Sequence, residues 1–175
     1  MPRLLLVVGM PGCGKGALID VAIKKGYRPV VMGDIVREES VKRGYGIKGS
    51  GTVAKTLRKE NGLAAIAHLA LERLDESGSY IIDGIRGQME VEEFKKHYDT
   101  CVIAIHASPN TRFMRLHSRG RDDDPPNRGV FEERDARELG FGIGDAIALA
   151  DIMLVNESGI EAFSEKVENL FGDLD

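Results

Sequence analysis

The chain has 175 residues, of which 42% are hydrophobic and 30% are charged, as expected for one globular domain. Its formal net charge is −4, so the overall charge gives no attraction to nucleic acid. Cys13 and Cys101 are far apart in the sequence, which argues against a disulfide framework. The two cysteines and four histidines are not spaced as zinc ligands usually are, which argues against a zinc site. The sequence shows no secretory signal and no apolar stretch of membrane-spanning length, so we expect a cytoplasmic protein without a membrane partner.

Apolar runs alternate with helical patterns along the whole chain. The run over 4–9 predicts a strand buried on both faces, and a helix follows over about 15–25. The later predicted strands cover 28–34, 79–84, 101–107 and 150–156. The later predicted helices cover 35–44, 52–76, 88–98, 108–120, 130–140 and 159–174. This alternation predicts an α/β fold with a five-stranded parallel sheet, whose ligands bind at the carboxyl ends of the strands.

The stretch GMPGCGKGALID, over 9–20, follows the first strand and opens the first helix. Gly9, Gly14 and Lys15 match the pattern G-x-x-x-x-G-K in the context that this motif requires. Glycines let the backbone N–H groups turn inward around an anion, and the helix start adds its positive dipole end. The sequence therefore predicts an ATP phosphate site in which Lys15 reaches the β- and γ-phosphates. Its residues are Gly9, Met10, Pro11, Gly12, Cys13, Gly14, Lys15, Gly16 and Ala17.

Gly16 stands where such a loop usually carries a hydroxyl that ligates Mg²⁺, and Ala17 offers none either. A loop of the form GxPGxGKG resembles those of adenylate kinases and related nucleoside monophosphate kinases, including an archaeal group called adenylate-kinase-related. Most of these enzymes carry a threonine at the position of Ala17. The resemblance implies a three-layer P-loop NTPase fold and Mg²⁺ held through waters and phosphates. It divides the chain into a core (1–33, 79–118 and 131–175), a monophosphate-binding helical insertion (34–78) and a short lid without zinc (119–130).

Two further motifs resemble the acceptor side of these kinases. In MGDIVRE, Gly33, Asp34 and Arg37 match the family's monophosphate site, although Met32 replaces its threonine. The third strand ends in IIDGIRG, where an aspartate after apolar residues is typical of a carboxylate that orients a Mg²⁺-bound water. The resemblance assigns that role to Asp83 and contacts with the transferring and acceptor phosphates to the arginine three residues later, Arg86. An exposed helix arginine and an ordinary DG turn are the alternatives.

Arginines surround a projecting acidic loop over 121–127. They are Arg115, Arg119, Arg121, Arg128, Arg134 and Arg137. The pattern resembles the lid of a monophosphate kinase, which excludes water and places cations over the migrating phosphoryl group. The resemblance implies catalytic roles for Arg119, Arg121 and Arg134, and a monophosphate contact for Arg137. The alternative is that these arginines pair with the acids at 122–124, 132, 133 and 135 on a solvated surface.

Two single residues leave alternatives open. The segment 150–159, ADIMLVNESG, resembles the end of dephospho-CoA kinases, where Asn156 would frame the adenine; it could equally cap the final helix. In the loop, the helix start could lower the thiol pKa of Cys13, or the residue could be a small filler.

The sequence thus predicts an ATP- and Mg²⁺-dependent kinase acting on a nucleoside monophosphate, with AMP the first candidate. One alternative acceptor is dephospho-CoA. A non-catalytic nucleotide-binding or assembly protein is another alternative, which the missing hydroxyls at Gly16 and Ala17 favour. The sequence leaves the oligomeric state open.

Overall fold

A five-stranded parallel sheet forms the centre of the computed structural model, which describes residues 3–75, 77–121 and 124–174. The strands are β1 (Leu4–Val8), β2 (Arg28–Val31), β3 (Tyr80–Asp83), β4 (Thr100–His106) and β5 (Ile152–Val155). Their order in the sheet is β2-β3-β1-β4-β5, so β1 is central, and all five of its residues are buried. A strand buried on both faces needs an unbroken apolar sequence, which LLLVV supplies. The predicted α/β fold is confirmed.

Helices cover both faces of this sheet. They are α1 (Lys15–Lys24), α2 (Met32–Lys42), α3 (Ser50–Asn61), α4 (Ala65–Leu71), α5 (Gln88–His97), α6 (Pro109–Arg119), α7 (Arg128–Gly140), α8 (Ile143–Ala148) and α9 (Ile160–Leu174). Because successive strand residues point to opposite faces, β1 contributes to two cores. Leu5 and Val7 pack with α1 and α9, whereas Leu4, Leu6 and Val8 pack with α2, α3, α4, α5 and α8.

The structure differs from the sequence prediction at several boundaries. The strand expected over 28–34 ends at Val31, and α2 begins at Met32. The single helix expected over 52–76 is two helices, because Gly62 adopts a φ of 85°, which a glycine tolerates far better than other residues. The second of them ends at Leu71, and the expected end at Glu76 lies outside the described residues. Helix α8 was not predicted.

Side chains cap the first turns of the two helices that flank the acidic loop. Ser108 Oγ accepts a hydrogen bond from the Thr111 N–H group at 3.3 Å, with Pro109 as the first helical residue of α6. Asn127 Oδ1 caps α7 by accepting from the Val130 N–H group at 3.0 Å. Asp122 and Asp123 of the predicted lid lie outside the described residues. Across the parts of the chain that are described, no helix is both long and apolar enough to span a membrane.

The buried ring of Phe94 in α5 provides a test of this core. Phe94 is fully buried in the core beneath α2–α5, whereas Leu63, between α3 and α4, is 61% exposed. We expect Phe94→Ala to lower the free energy of unfolding by about 3–5 kcal/mol, because it leaves a cavity in a packed core. Leu63→Ala should change it by less than about 0.5 kcal/mol. Urea unfolding measures both variants, and equal losses would contradict this packing.

Candidate functional site

The carboxyl ends of β1, β2 and β3 open into one cleft of about 740 Å³. Its walls come from the loop between β1 and α1, the first turns of α2 and α3, the segment after β3, and the facing sides of α6 and α7. The sequence-predicted site residues that line it are Gly9, Pro11, Gly12, Lys15, Gly33, Arg37, Asp83, Arg86, Arg119, Arg134 and Arg137. The fold thus brings most of the predicted residues to one edge of the sheet.

The loop between β1 and α1 is a tight turn that contains glycines with positive φ values. Gly12 and Gly14 have φ values of 84° and 99°, and a Cβ at Gly12 would lie 2.8 Å from the Arg112 carbonyl oxygen. Neither position has room for a side chain. Lys15 Nζ donates to the Gly9 carbonyl oxygen at 3.1 Å, so the lysine lies along the mouth of the loop. The positive φ values are the backbone conformation that the predicted cradle of N–H groups requires.

Asn156 supports this loop from its buried side. The side chain is 5% exposed, and its Nδ2 donates to the Cys13 carbonyl oxygen at 2.9 Å. Its Oδ1 accepts from Arg115 Nη2 at 3.2 Å. The amide therefore does not line the cleft, and α9 begins four residues later at Ile160. Asn156 is therefore a buried brace of the loop and does not cap α9, whereas its predicted contact with the adenine stays a prediction.

The remaining loop residues also differ in exposure. The Cys13 side chain is fully buried, and burial raises its thiol pKa, which rules out the activated thiol that the helix start suggested. Gly16 is exposed, with open space where a Cβ would stand. Ala17 is partly buried and packs against the core beneath α1 and α9.

Asp83 stands at the carboxyl end of β3 and lines the cleft together with Lys15. Its Oδ1 is buried and has no hydrogen-bond partner among the described residues. Those residues also hold no group of three or more histidine, cysteine, aspartate or glutamate side chains that could cage a metal ion. One carboxylate together with substrate phosphates and waters is a usual way to hold Mg²⁺. The unsatisfied oxygen therefore fits a Mg²⁺ ion that is bound mainly by a nucleotide.

Arg86 is fixed in the cleft by two buried carboxylates. Its guanidinium pairs with Glu138 of α7, and its backbone N–H donates to Glu90 Oε2 at 2.7 Å. Glu90 also pairs with Arg58 of α3 at 2.9 Å. Burial, helped by the charge of Arg58, lowers the pKa of Arg86 from its ordinary value. Arg58, Glu90 and Glu138 were not predicted, because helices far apart in sequence bring them together.

Arg37 lines the cleft from α2, where it pairs with Asp34 one turn earlier. Both side chains are about half exposed. Asp34 itself does not line the cleft. This pair keeps the Arg37 guanidinium near the start of α2, and a Cβ at Gly33 would lie 3.4 Å from its Nη1.

The arginines around the acidic loop have different surroundings. Arg119 lines the cleft and makes two hydrogen bonds with Asp124, at 2.9 and 2.5 Å, which lower the pKa of that carboxyl to about 2. Arg121 is exposed outside the cleft, and its backbone N–H donates to Asp124 at 3.0 Å. Arg128 pairs with Glu132 on the surface. Of the predicted lid arginines, only Arg119, Arg134 and Arg137 line the cleft.

Arg112 of α6 is a further structural residue that the sequence pattern did not indicate. It is 3% exposed and donates to the carbonyl oxygens of Ala107 and Pro11 at 3.1 and 3.3 Å. It also pairs with Asp135 of α7, with Nη1 2.8 Å from Oδ1. One buried guanidinium therefore joins the phosphate loop to α6 and α7.

Comparison with known proteins agrees with this architecture. A family model described as an AAA domain matches residues 8–128. The UPF0200 protein of Methanopyrus kandleri is 50% identical over 171 residues, covering 93% of this chain and 86% of that protein. Shikimate kinase from Bacteroides thetaiotaomicron superposes with a TM-score of 0.62 at 17% identity, covering 98% of this chain and 99% of that one. Dephospho-CoA kinase from Campylobacter jejuni gives 0.58 at 15% identity, covering 99% and 98%.

The two solved kinases are too distant in sequence to indicate more than the fold, which they share over nearly the full chain. The family assignment rests on the sequence match to the archaeal protein and on the match to the family model. The chain therefore belongs to the UPF0200 protein family and to the AAA domain family of that model, and it has the fold of a P-loop kinase.

Proposed function

We propose that this protein transfers the γ-phosphoryl group of Mg²⁺-ATP to a nucleoside monophosphate, with AMP as the first candidate. The observation that carries the proposal is that the phosphate loop and an arginine-rich wall share one cleft, with Asp83 between them. If ATP binds with its phosphates on the loop, its γ-phosphate would face the arginines that would bind the acceptor phosphate. The resemblance to adenylate-kinase-related proteins supports the same assignment.

The donor half would be formed by the loop N–H groups and Lys15. Lys15 Nζ would exchange its bond to the Gly9 carbonyl for the β- and γ-phosphates, which are stronger, charged acceptors. Mg²⁺ would be held by Asp83 through water and by the phosphates, and it would neutralise charge that develops during transfer. This arrangement requires no direct Mg²⁺ ligand from the loop, so it is compatible with the absence of hydroxyls at Gly16 and Ala17.

The acceptor half would be formed by Gly33, Arg37 and Arg86, with Arg137 contributing from α7. Asp34 would position Arg37 rather than touch the acceptor. Arg119 and Arg134 would cover the transferring group from the lid side, while Arg121 would have to move to join them. No strong general base is needed, because the attacking phosphate oxygen is already anionic. Positioning and charge therefore account for the chemistry.

The acceptor is tested by measuring ADP formation with AMP, CMP, UMP, GMP and dephospho-CoA in turn. We expect a nucleoside monophosphate, AMP first, to accelerate ATP consumption well above the rate with ATP alone. Acceleration by dephospho-CoA alone would favour that acceptor instead. If ATP binds but no acceptor accelerates its consumption, the kinase proposal fails and a nucleotide-binding protein remains.

Lys15→Ala tests the phosphate loop. We expect it to lower kcat/KM by about a hundredfold to a thousandfold, because a preorganised charge on the transferring phosphates is lost. Lys24→Ala, on the same helix but away from the cleft, is the matched control and should retain full activity. Steady-state ADP production measures both, and near-normal activity of Lys15→Ala would refute the assignment of the loop.

Asn156→Ala tests the brace behind the loop. Loss of the amide removes the Asn156 partner of the Cys13 carbonyl and one of the two hydrogen bonds of Arg115 Nη2, so we expect the free energy of unfolding to fall by about 1–3 kcal/mol. Mg²⁺-ATP affinity should fall as well, although the residue does not line the cleft. Urea unfolding and calorimetric titration provide the measurements. The exposed Asn110 gives a control, Asn110→Ala, and indistinguishable behaviour of the two variants would contradict the brace.

A further inference from the structure

The acceptor half of the cleft holds more positive charge than one monophosphate requires. Besides Arg37, Arg86 and Arg137, which the proposed function assigns to the monophosphate, Lys48 and Lys55 line it. Arg37 pairs with Asp34, and Arg86 pairs with Glu138. In the parts of the chain that are described, neither lysine forms an ion pair. Their charge is therefore available to a ligand.

Lys48 and Lys55 belong to one side of the cleft. Lys48 lies in the short 3-10 turn Ile47–Gly49, and Lys55 follows on α3, seven residues and about two helical turns later. The intervening Ser50, Gly51 and Thr52 also line the cleft. No side chain caps the first turn of α3, so its N–H groups add partial positive charge on the same side. The two lysines thus add positive charge on the α3 side of the cleft.

Charges of one sign that line a cleft repel one another unless an anion compensates them, and low-dielectric walls strengthen the field. Apolar side chains line this part of the cleft, including Met32, Val36 and Ile66. A lysine that serves only solubility need not face such a cleft. Lys59, one turn after Lys55, is exposed and does not line the cleft. The proposed function already provides Arg37, Arg86 and Arg137 for a single phosphate. The surplus indicates a ligand with a second negative centre.

We propose that the acceptor carries a second anionic group, a phosphate or carboxylate remote from the phosphate that receives the phosphoryl group, and that Lys48 and Lys55 bind it. This inference rests on the proposed function and makes the two lysines determinants of specificity. A nucleoside bisphosphate is the simplest compound with the required chemistry. AMP would occupy the same site with only part of its contacts.

Calorimetric titration with 5′-AMP, adenosine 3′,5′-bisphosphate and adenosine 2′,5′-bisphosphate tests the proposal. The phosphate loop is first saturated with Mg²⁺ and a non-hydrolysable ATP analogue, so that the probes report the acceptor half. We expect one of the bisphosphates to bind at least about tenfold more tightly than AMP, since it gains charge-assisted hydrogen bonds. Lys48→Ala and Lys55→Ala should each reduce that preference to about threefold or less and leave AMP affinity within about twofold. The control Lys59→Ala should leave the preference unchanged.

Equal affinity for AMP and both bisphosphates would overturn the inference, as would a lysine variant that weakens all three equally. Both lysines are exposed, and far-ultraviolet circular dichroism verifies that each variant folds. The proposed function fails by different observations, namely no binding of the ATP analogue or no acceptor-dependent ADP formation. Titrations repeated without the analogue measure the bisphosphate preference even in that case.

Discussion

The candidate site depends on holding a glycine-rich loop in one shape against the end of the sheet. The loop N–H groups can converge on an anion only if Gly12 and Gly14 keep positive φ values, and a flexible segment would not stay there unaided. Two buried side chains provide the restraint. Arg112 binds the Pro11 carbonyl from α6, and Asn156 binds the Cys13 carbonyl from beyond β5. The shape of an N-terminal loop is therefore fixed by the C-terminal half of the chain.

Of these two side chains, Arg112 also links the loop to the helices that flank the acidic loop. Arg112 pairs with Asp135 of α7, and Arg119, at the end of the same helix, pairs with Asp124. A movement of α7 would thus shift Arg112 and alter its hydrogen bond to the Pro11 carbonyl oxygen. Glu138 and Glu90 hold Arg86 in place within the cleft, and in the proposed function this would reduce the reorganisation required for transfer.

The sequence predicted those parts of the candidate site that depend on residues close together in the chain. The glycines and Lys15 follow a buried strand, and Asp83 ends another, so their convergence at one sheet edge follows from parallel topology. The break at Gly62 was missed because the apolar stripe continues across it. Arg58, Arg112 and the brace at Asn156 were missed because their partners lie on distant elements, which no spacing in one chain can reveal.

The central claim is that the loop and the arginine wall act on the same nucleotide. A crystal structure with Mg²⁺ and a non-hydrolysable ATP analogue tests it most directly. The account predicts the β- and γ-phosphates on the loop N–H groups and Lys15, the metal one water from Asp83, and the γ-phosphate directed toward Arg86. A nucleotide bound outside the cleft, or a γ-phosphate that points away from Arg86, would contradict it.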